Sequence, residues 1–295
     1  MNAKLKDKIW TGILYGISSF VVLLLVALIG YILVRGVSTL SPSFLFGEPK
    51  VGEAGGGIGP QLFNSFYMLI VSLLITAPFG IGAGIYLAEY AKEGKVLNAI
   101  RLSIETMASL PSIVVGLFGL LVFVKLTGWG FTLLSGALAI GILNLPSLTR
   151  VSENAIRSVS KGVKEGSLGL GATKWQTIKN VMLPSAMPQI LTGIILAGGR
   201  IFGEAAALLY TSGMSAPHLN FALDNLTSKS SPFSLMRPAE TLAVYIWQVN
   251  SEGMIPDAVR VGNGSAAVLI IMVLLFNILA RIIGNAIYER YTGKM

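Results

Sequence analysis

Six stretches of this chain are apolar for long enough to cross a lipid bilayer: Trp10 to Val34, Leu62 to Leu87, Ile104 to Val124, Phe131 to Leu148, Ser185 to Tyr210 and Val261 to Ala280. A spanning helix needs roughly 20 such residues, because its backbone must satisfy its own hydrogen bonds across about 30 Å of hydrocarbon. The expected fold class is therefore all-α, a polytopic membrane protein with six transmembrane helices. A content of 53% hydrophobic and 12% charged residues is far outside the soluble range and agrees with this.

Orientation follows from where Lys and Arg collect, since basic loops are retained in the cytoplasm. Of 22 basic residues, 15 fall on one side: before the first span, after the second (Lys92, Lys95, Arg101), between the fourth and fifth, and after the sixth (Arg281, Arg290, Lys294). The opposite loops hold Arg35, Lys50, Lys125, Lys229, Arg237 and Arg260, and Arg200 lies within the fifth span. Both termini are thus expected in the cytoplasm of a prokaryotic cell, with the chain multi-pass in its plasma membrane. The net charge of +8 is explained by this topology rather than by nucleic-acid binding. The first apolar run is too long for a signal-peptide core and lacks a small-residue cleavage site, so it reads as a retained helix. There is no Cys, and the single His, His218, stands alone in an external loop, which leaves no metal site to expect.

The expected organisation has three parts: residues 1–61 with the N-terminal tail, first span and external loop; a core over 62–284; and a cytoplasmic tail over 285–295. The polar stretch Ser41 to Pro60 contains GEAGGGIGP, yet no Lys-Ser or Lys-Thr follows, so it is not a phosphate-binding loop and reads as a flexible turn into the second span. A transporter without its own nucleotide site must borrow one. Pro78 with Gly80, Gly82 and Gly84, and Pro111 with Gly116 and Gly119, predict kinked and closely packed second and third spans. In the long external loop, Leu242, Tyr245, Ile246 and Val249 recur at helical spacing, either on the membrane interface or folded against the bundle.

The basic loop 150–184 carries the most specific pattern. Val151, Ala155, Ile156, Val159 and Val163 form an apolar helical stripe; Lys164-Glu165-Gly166 follows, with Gly171 six positions after Glu165 and a nine-residue gap before Val181, Leu183 and Pro184. Gly169 and Gly171 permit a sharp turn after one short helix, and Trp175 offers an apolar face to the bundle or a partner. Leu183-Pro184 is expected to break the loop helix where the fifth span begins. In that span Arg200 and Glu204 are four residues apart, expected on one helix face, where a charge must meet protein or an aqueous path. They form either a structural ion pair or a guanidinium fork for a tetrahedral oxyanion, oriented by Glu204. Arg150, at the inner end of the fourth span, either sets topology or marks the inner part of one anion path with Arg200.

The loop spacing resembles the EAA loop of the membrane subunits of ABC importers. By that resemblance the fold is the type I importer permease fold, and the helix holding Glu165 sits in a groove of a cytoplasmic ATPase. The coupling set is then Lys164, Glu165, Gly166, Gly169, Gly171, Ala172, Trp175, Leu183 and Pro184. GGIGPQLFNSFYMLI, PFGIGAGIYLAEYA, SLPSIVVGLFG, LNLPSLTRVSENAI, GLGATKWQTIKNVMLP and GGRIFGEAAALLYTSG resemble, in that order, the PstA-type phosphate permeases of the binding-protein-dependent, CysTW-like family. Family arginines implicated in phosphate passage align with Arg150 and Arg200, giving a substrate path of Arg150, Arg200 and Glu204. Gly166-Ser167 departs from the usual pair of alanines, which lowers helix propensity without changing the spacing.

The resemblance implies a heterodimer with a sister phosphate permease subunit, two copies of a cytoplasmic ATPase, and an extracytoplasmic binding protein that delivers inorganic phosphate. ATP and Mg would be used by the ATPase, so this chain would hold no cofactor and no catalytic residue. Rival readings are the sister permease itself, a sulfate or molybdate permease, an ion-coupled carrier or channel with Arg200 and Glu204 in a relay, and a scaffold that only recruits an ATPase.

Overall fold

A computed structural model describes residues 3–50, 52–221, 231–253 and 255–292; Lys229 and Lys294 lie outside the described residues, and the Arg290 side chain is not described. Every regular element among them is helical: α1 (Ala3–Val37), α2 (Pro42–Phe46), α3 (Gly59–Ile85), α4 (Lys95–Ala108), α5 (Ser112–Gly119), α6 (Leu133–Arg157), α7 (Lys161–Gly169), α8 (Lys174–Thr177), α9 (Leu183–Gly203), α10 (Ala206–Leu209), α11 (Leu242–Glu252) and α12 (Ala258–Thr292). Wide turns with bonds to the fifth residue back extend α3 through Tyr86–Tyr90 and α5 through Leu120–Leu126, and join α8 to α9 through Ile178–Met182.

Five helical runs are long and apolar enough to span a bilayer: Ala3–Val37, Gly59–Tyr90, Leu133–Arg157, Lys174–Gly203 and Ala258–Ala286. The expected third span differs. Lys95–Ala108 and Ser112–Leu126 meet at 96°, so the stretch Ile104 to Val124 is bent rather than one straight helix. Pro111 has no N–H to continue α4, and its ring pushes Leu110 out of helical geometry, which ends the helix there. The mixed apolar and charged α4 packs against α6, with its Leu97 buried.

The most extensive pairing is α3 against α6, with α9 against α6 and α12 next. Close approach needs glycine at Gly84, where a Cβ would fall 2.5 Å from Ser152 Cβ and 2.8 Å from the Glu153 nitrogen. One core, containing Met68, Ile140, Phe202, Leu208 and Leu242, fills the end away from the basic loops. A smaller one, Ala155, Ile156, Ile178, Met182, Ala186 and Ile190, fills the basic end. The helix α1 is apolar all round from Ile9 to Val34 and almost wholly exposed, and it meets α12 through Gly36 against Asn263 and Ala267.

One loop expectation changes in part, and a second is decided between its two alternatives. The second half of the glycine-rich stretch before α3 is packed, while residues 52–55 are exposed: Gly57, Ile58 and Gly59 donate backbone hydrogen bonds to Glu48, Phe44 and Gly47, Ile58 is fully buried, and a Cβ on Gly57 would lie 2.5 Å from the Gly47 carbonyl oxygen. These glycines serve close chain approach. The helix expected from Leu242 onward forms as α11 and folds against the bundle, with Leu242, Tyr245 and Val249 buried.

Candidate functional site

The groove between α6 and α9 holds one of the predicted arginines. Asn144, Ser147, Leu148 and Val151 line its α6 side, and Gly193, Leu196, Ala197 and Arg200 its α9 side, around a cavity of about 240 Å³. Residues three and four apart on each helix share that face. Arg200 is exposed, and among the described residues no carboxylate pairs with it. Its guanidinium can therefore present its donors to a ligand in the groove.

Glu204 does not share a helix face with Arg200. The helix α9 ends at Gly203, Glu204 is extended (φ −78°, ψ 116°), and its carboxylate accepts from the Ala207 N–H at 3.1 Å. The expected ion pair is absent because this chain break turns Glu204 to the first turn of α10, where it satisfies a free donor.

Arg150 does not line the groove either. The fourth span runs on to Arg157, so Arg150 lies inside α6 and not after it. Its guanidinium is bound by Glu105 of α4 and stands 3.8 Å from Glu153. Glu153, buried to 2% exposure at its side chain, also takes Arg101 at 2.6 Å and Arg157 at 3.1 Å. Arg157 reaches Glu93 at 3.0 Å and, by that hydrogen bond, holds the Glu93 carboxyl below its ordinary range. Three arginines and three carboxylates thus fasten α4, the turn after α3, and α6 together. Sequence reasoning missed this cluster, although the spacings Arg101/Glu105 and Arg150/Glu153/Arg157 signal shared helix faces.

The loop 158–184 is built as two short helices at a corner. The apolar stripe from Val151 is divided: Ala155 and Ile156 belong to α6 and are buried, whereas Val163 is exposed on α7, beyond the turn at Ser158–Ser160. Lys164, Glu165, Gly166 and Gly169 lie on α7. Gly171 takes φ +87°, the left-handed conformation a corner demands, and Ala172 follows it. Thr173 then starts α8 with a capping box, its hydroxyl accepting from the Gln176 N–H while Gln176 accepts from the Thr173 N–H at 2.8 Å. Gly169 needs no such conformation and ends α7.

Leu183-Pro184 does not break the helix, contrary to expectation. The Leu183 N–H bonds Ile178 five residues back, and this widened turn lets Pro184 enter a helical run continuous from Lys174 to Gly203. The ring clash and missing donor are absorbed by the wider turn. The helix α8 is therefore continuous with the span bearing Arg200, whereas α7 lies beyond the corner.

The same corner is tied to α3. Lys164 Nζ donates to both oxygens of Glu89 at 2.9 and 2.7 Å, Lys174 Nζ donates to the Glu89 carbonyl and sits 4.7 Å from the centre of the Tyr90 ring, and Ser167 meets Thr177 at 3.0 Å. Outward it shows apolar surface: Leu170 is 91% and Trp175 57% exposed, next to the exposed Glu165. A rigid corner with exposed Leu and Trp anchors has the character of a protein-docking surface. Among the described residues no group of three or more His, Cys, Asp or Glu comes together to hold a metal ion.

Residues 80–293 match the family of binding-protein-dependent transport system inner membrane components. Over its full length and the relative's, the chain is 54% identical to the probable ABC transporter permease protein YqgI of Bacillus subtilis (strain 168). It is 35% identical to the phosphate transport system permease protein PstA of Yersinia pestis, over 84% of this chain and 80% of that one. A solved bacterial ABC transporter involved in import of the acidic polysaccharide alginate shares the fold, with a TM-score of 0.57 at 17% identity over 94% of this chain and 96% of its own.

Proposed function

Because the chain belongs to the binding-protein-dependent transport system inner membrane components, and is accordingly a multi-pass permease subunit of an ABC importer, we propose that its cargo is inorganic phosphate. The observation that carries this reading is Arg200, an exposed guanidinium without a carboxylate partner, facing the α6–α9 groove. A planar fork of donors suits a tetrahedral oxyanion, and its position inside an apolar span is costly unless used. Similarity to permeases named for phosphate transport supports the same cargo.

In this proposal a sister permease completes the path, an extracytoplasmic binding protein delivers phosphate, and two ATPase chains supply ATP hydrolysis with Mg. The α7–α8 corner, with Glu165, Leu170 and Trp175, faces the cytoplasm and docks one ATPase. Its movement passes through the unbroken helix 174–203 to Arg200 and through Lys164–Glu89 to α3. Arg150 acts by holding the ends of α4 and α6 together, and Glu204 by shaping the end of α9. The working cycle is alternating access between two arrangements of the bundle.

The test is ATP-dependent uptake of radiolabelled phosphate into vesicles bearing the complete complex. Arg200→Gln is expected to abolish uptake while the complex still assembles, and Glu165→Ala to weaken ATPase coupling. Undiminished uptake in Arg200→Gln would reduce Arg200 to a structural charge, and competition by sulfate would widen the cargo to oxyanions.

A further inference from the structure

At the end of the bundle away from the basic loops, a cavity of about 230 Å³ is lined by Gln61 of α3, by Ser215 and Glu240 of the segment before α11, and by Tyr245 and Val249 of α11. Gln61 and Glu240 are buried, at 0% and 3% exposure. The Gln61 amide donates to Glu240 Oε2 at 2.8 Å, which leaves Gln61 Oε1 and Glu240 Oε1 buried without a hydrogen-bond donor. Both are acceptors when the carboxyl is ionised. The neighbouring buried cation does not serve them: Arg237 gives its donors to the carbonyls of Pro232 and Pro238 and to Asn64 Oδ1. Lys50 also lines the cavity, and its ammonium stands 3.8 Å from Glu53.

We propose that this cavity is a binding site for a small monovalent cation, held by Glu240 Oε1 and the Gln61 carbonyl oxygen. A single carboxylate sets the charge. The described residues assemble no multi-carboxylate cage of the kind a divalent ion takes; Pro49, Met214, Val249 and Ile255 give the cavity apolar walls, and Ser215 and Gln248 add polar ones. The site also fastens the chain, since Asn64 donates to the Glu240 carbonyl at 2.9 Å and Ser65 Oγ accepts from the Leu242 N–H at 2.8 Å. A bound cation therefore clamps the segment 231–241 to α3. The site is independent of which cargo the importer carries.

Burial pushes the Glu240 carboxyl up to about 7, so cation and proton compete for it. The charged and titratable groups around it are Lys50 before α3, Arg237 on its own segment, Tyr245 and Glu252 on α11, and Asp257 before α12. Burial holds Tyr245 up to about 12 and hence neutral, leaving Glu240 as the group in the cavity that titrates near neutrality.

The experiment follows the unfolding midpoint of the full chain in lipid nanodiscs with sodium, potassium or methylammonium chloride, against choline chloride at constant ionic strength. A saturable rise is expected with at least one small cation, with an apparent affinity about tenfold weaker at about pH 6 than at about pH 8. Glu240→Gln should abolish the response. Should that variant fail to fold, infrared difference spectra of the wild type serve instead: adding the cation near neutral pH should remove a protonated-carboxyl band. No response to any of the three cations, an unchanged response in Glu240→Gln, or a pH response without a cation response would each overturn the site, the last by showing that Glu240 binds a proton only.

Discussion

Lys164 on α7 grips both carboxylate oxygens of Glu89 at the end of the α3 run, a contact between residues 75 apart in the chain. Glu89 is buried to 5% exposure, so this is more than a surface ion pair. It gives the α7–α8 corner a side-chain attachment to α3, beside its covalent connections to α6 and α9.

Removing that attachment should both destabilise and uncouple. Lys164→Met leaves Glu89 with Lys174 at 3.9 Å as its remaining cation, and a cost of about 1–3 kcal/mol is expected from the stranded carboxylate. A double-mutant cycle with Glu89→Gln, read by unfolding in detergent, should give a coupling of about 0.5–3 kcal/mol. Additive losses would mean the two side chains act separately.

Glu153 should be the most sensitive carboxylate at the basic end. It is buried among Arg101, Arg150 and Arg157, and Glu153→Gln leaves those guanidiniums only the exposed carboxylates Glu93 and Glu105, at a cost of about 1–3 kcal/mol. Glu105, whose side chain is 53% exposed, should cost under about 1 kcal/mol when changed to Gln despite its contact with Arg150. Thermal unfolding of the two variants side by side tests the contrast.

Two glycine-to-alanine changes should act in opposite directions. At Gly84 the new Cβ meets Ser152 and the Glu153 backbone, and the α3–α6 contact should lose about 1–3 kcal/mol. Gly166 has nothing within 4 Å of its Cβ position, so Gly166→Ala should strengthen α7 by about 0.5–1 kcal/mol. Unfolding midpoints report the first, and protection of α7 amides from hydrogen exchange reports the second.

The segment holding Glu240 should loosen as pH rises, in a cation-free medium. Its carboxyl binds a proton more tightly folded, at about 7, than at the ordinary value of 4.5. Between those values the opened state has lost a proton that the folded state keeps, so stability falls across that window and levels off above it. The total is roughly 3 kcal/mol, at about 1.4 kcal/mol per unit. Hydrogen exchange of the α11 amides at about pH 5 and pH 8 measures this, and Glu240→Gln should flatten the dependence.

Much of the site was legible because turn chemistry is local. Gly171 had to adopt a conformation that favours glycine, and the spacing from Glu165 marked a short helix ended by a corner; the structure has both. The partners of these residues were not legible. Nothing near Lys164 in the chain points to Glu89, and Arg150 looked free to join Arg200 until α4 brought Glu105 beside it. Leu183-Pro184 misled for a related reason: proline disfavours a helix by default, but a widened turn just before it keeps the run continuous.

By itself the sequence determined a polytopic helical protein, the approximate place of each apolar segment, and a basic loop with a glycine corner between two short helices. These follow from hydropathy, charge distribution and backbone preference, which act on short stretches wherever the chain folds. The tertiary structure alone decided the 96° break of the third span, the departure of Glu204 from the face of Arg200, the arginine cluster about Glu153, and the buried acceptors of Gln61 and Glu240. Each depends on groups far apart in the chain competing for the same space, hydrogen-bond donors and countercharges, and only the packed bundle settles that competition.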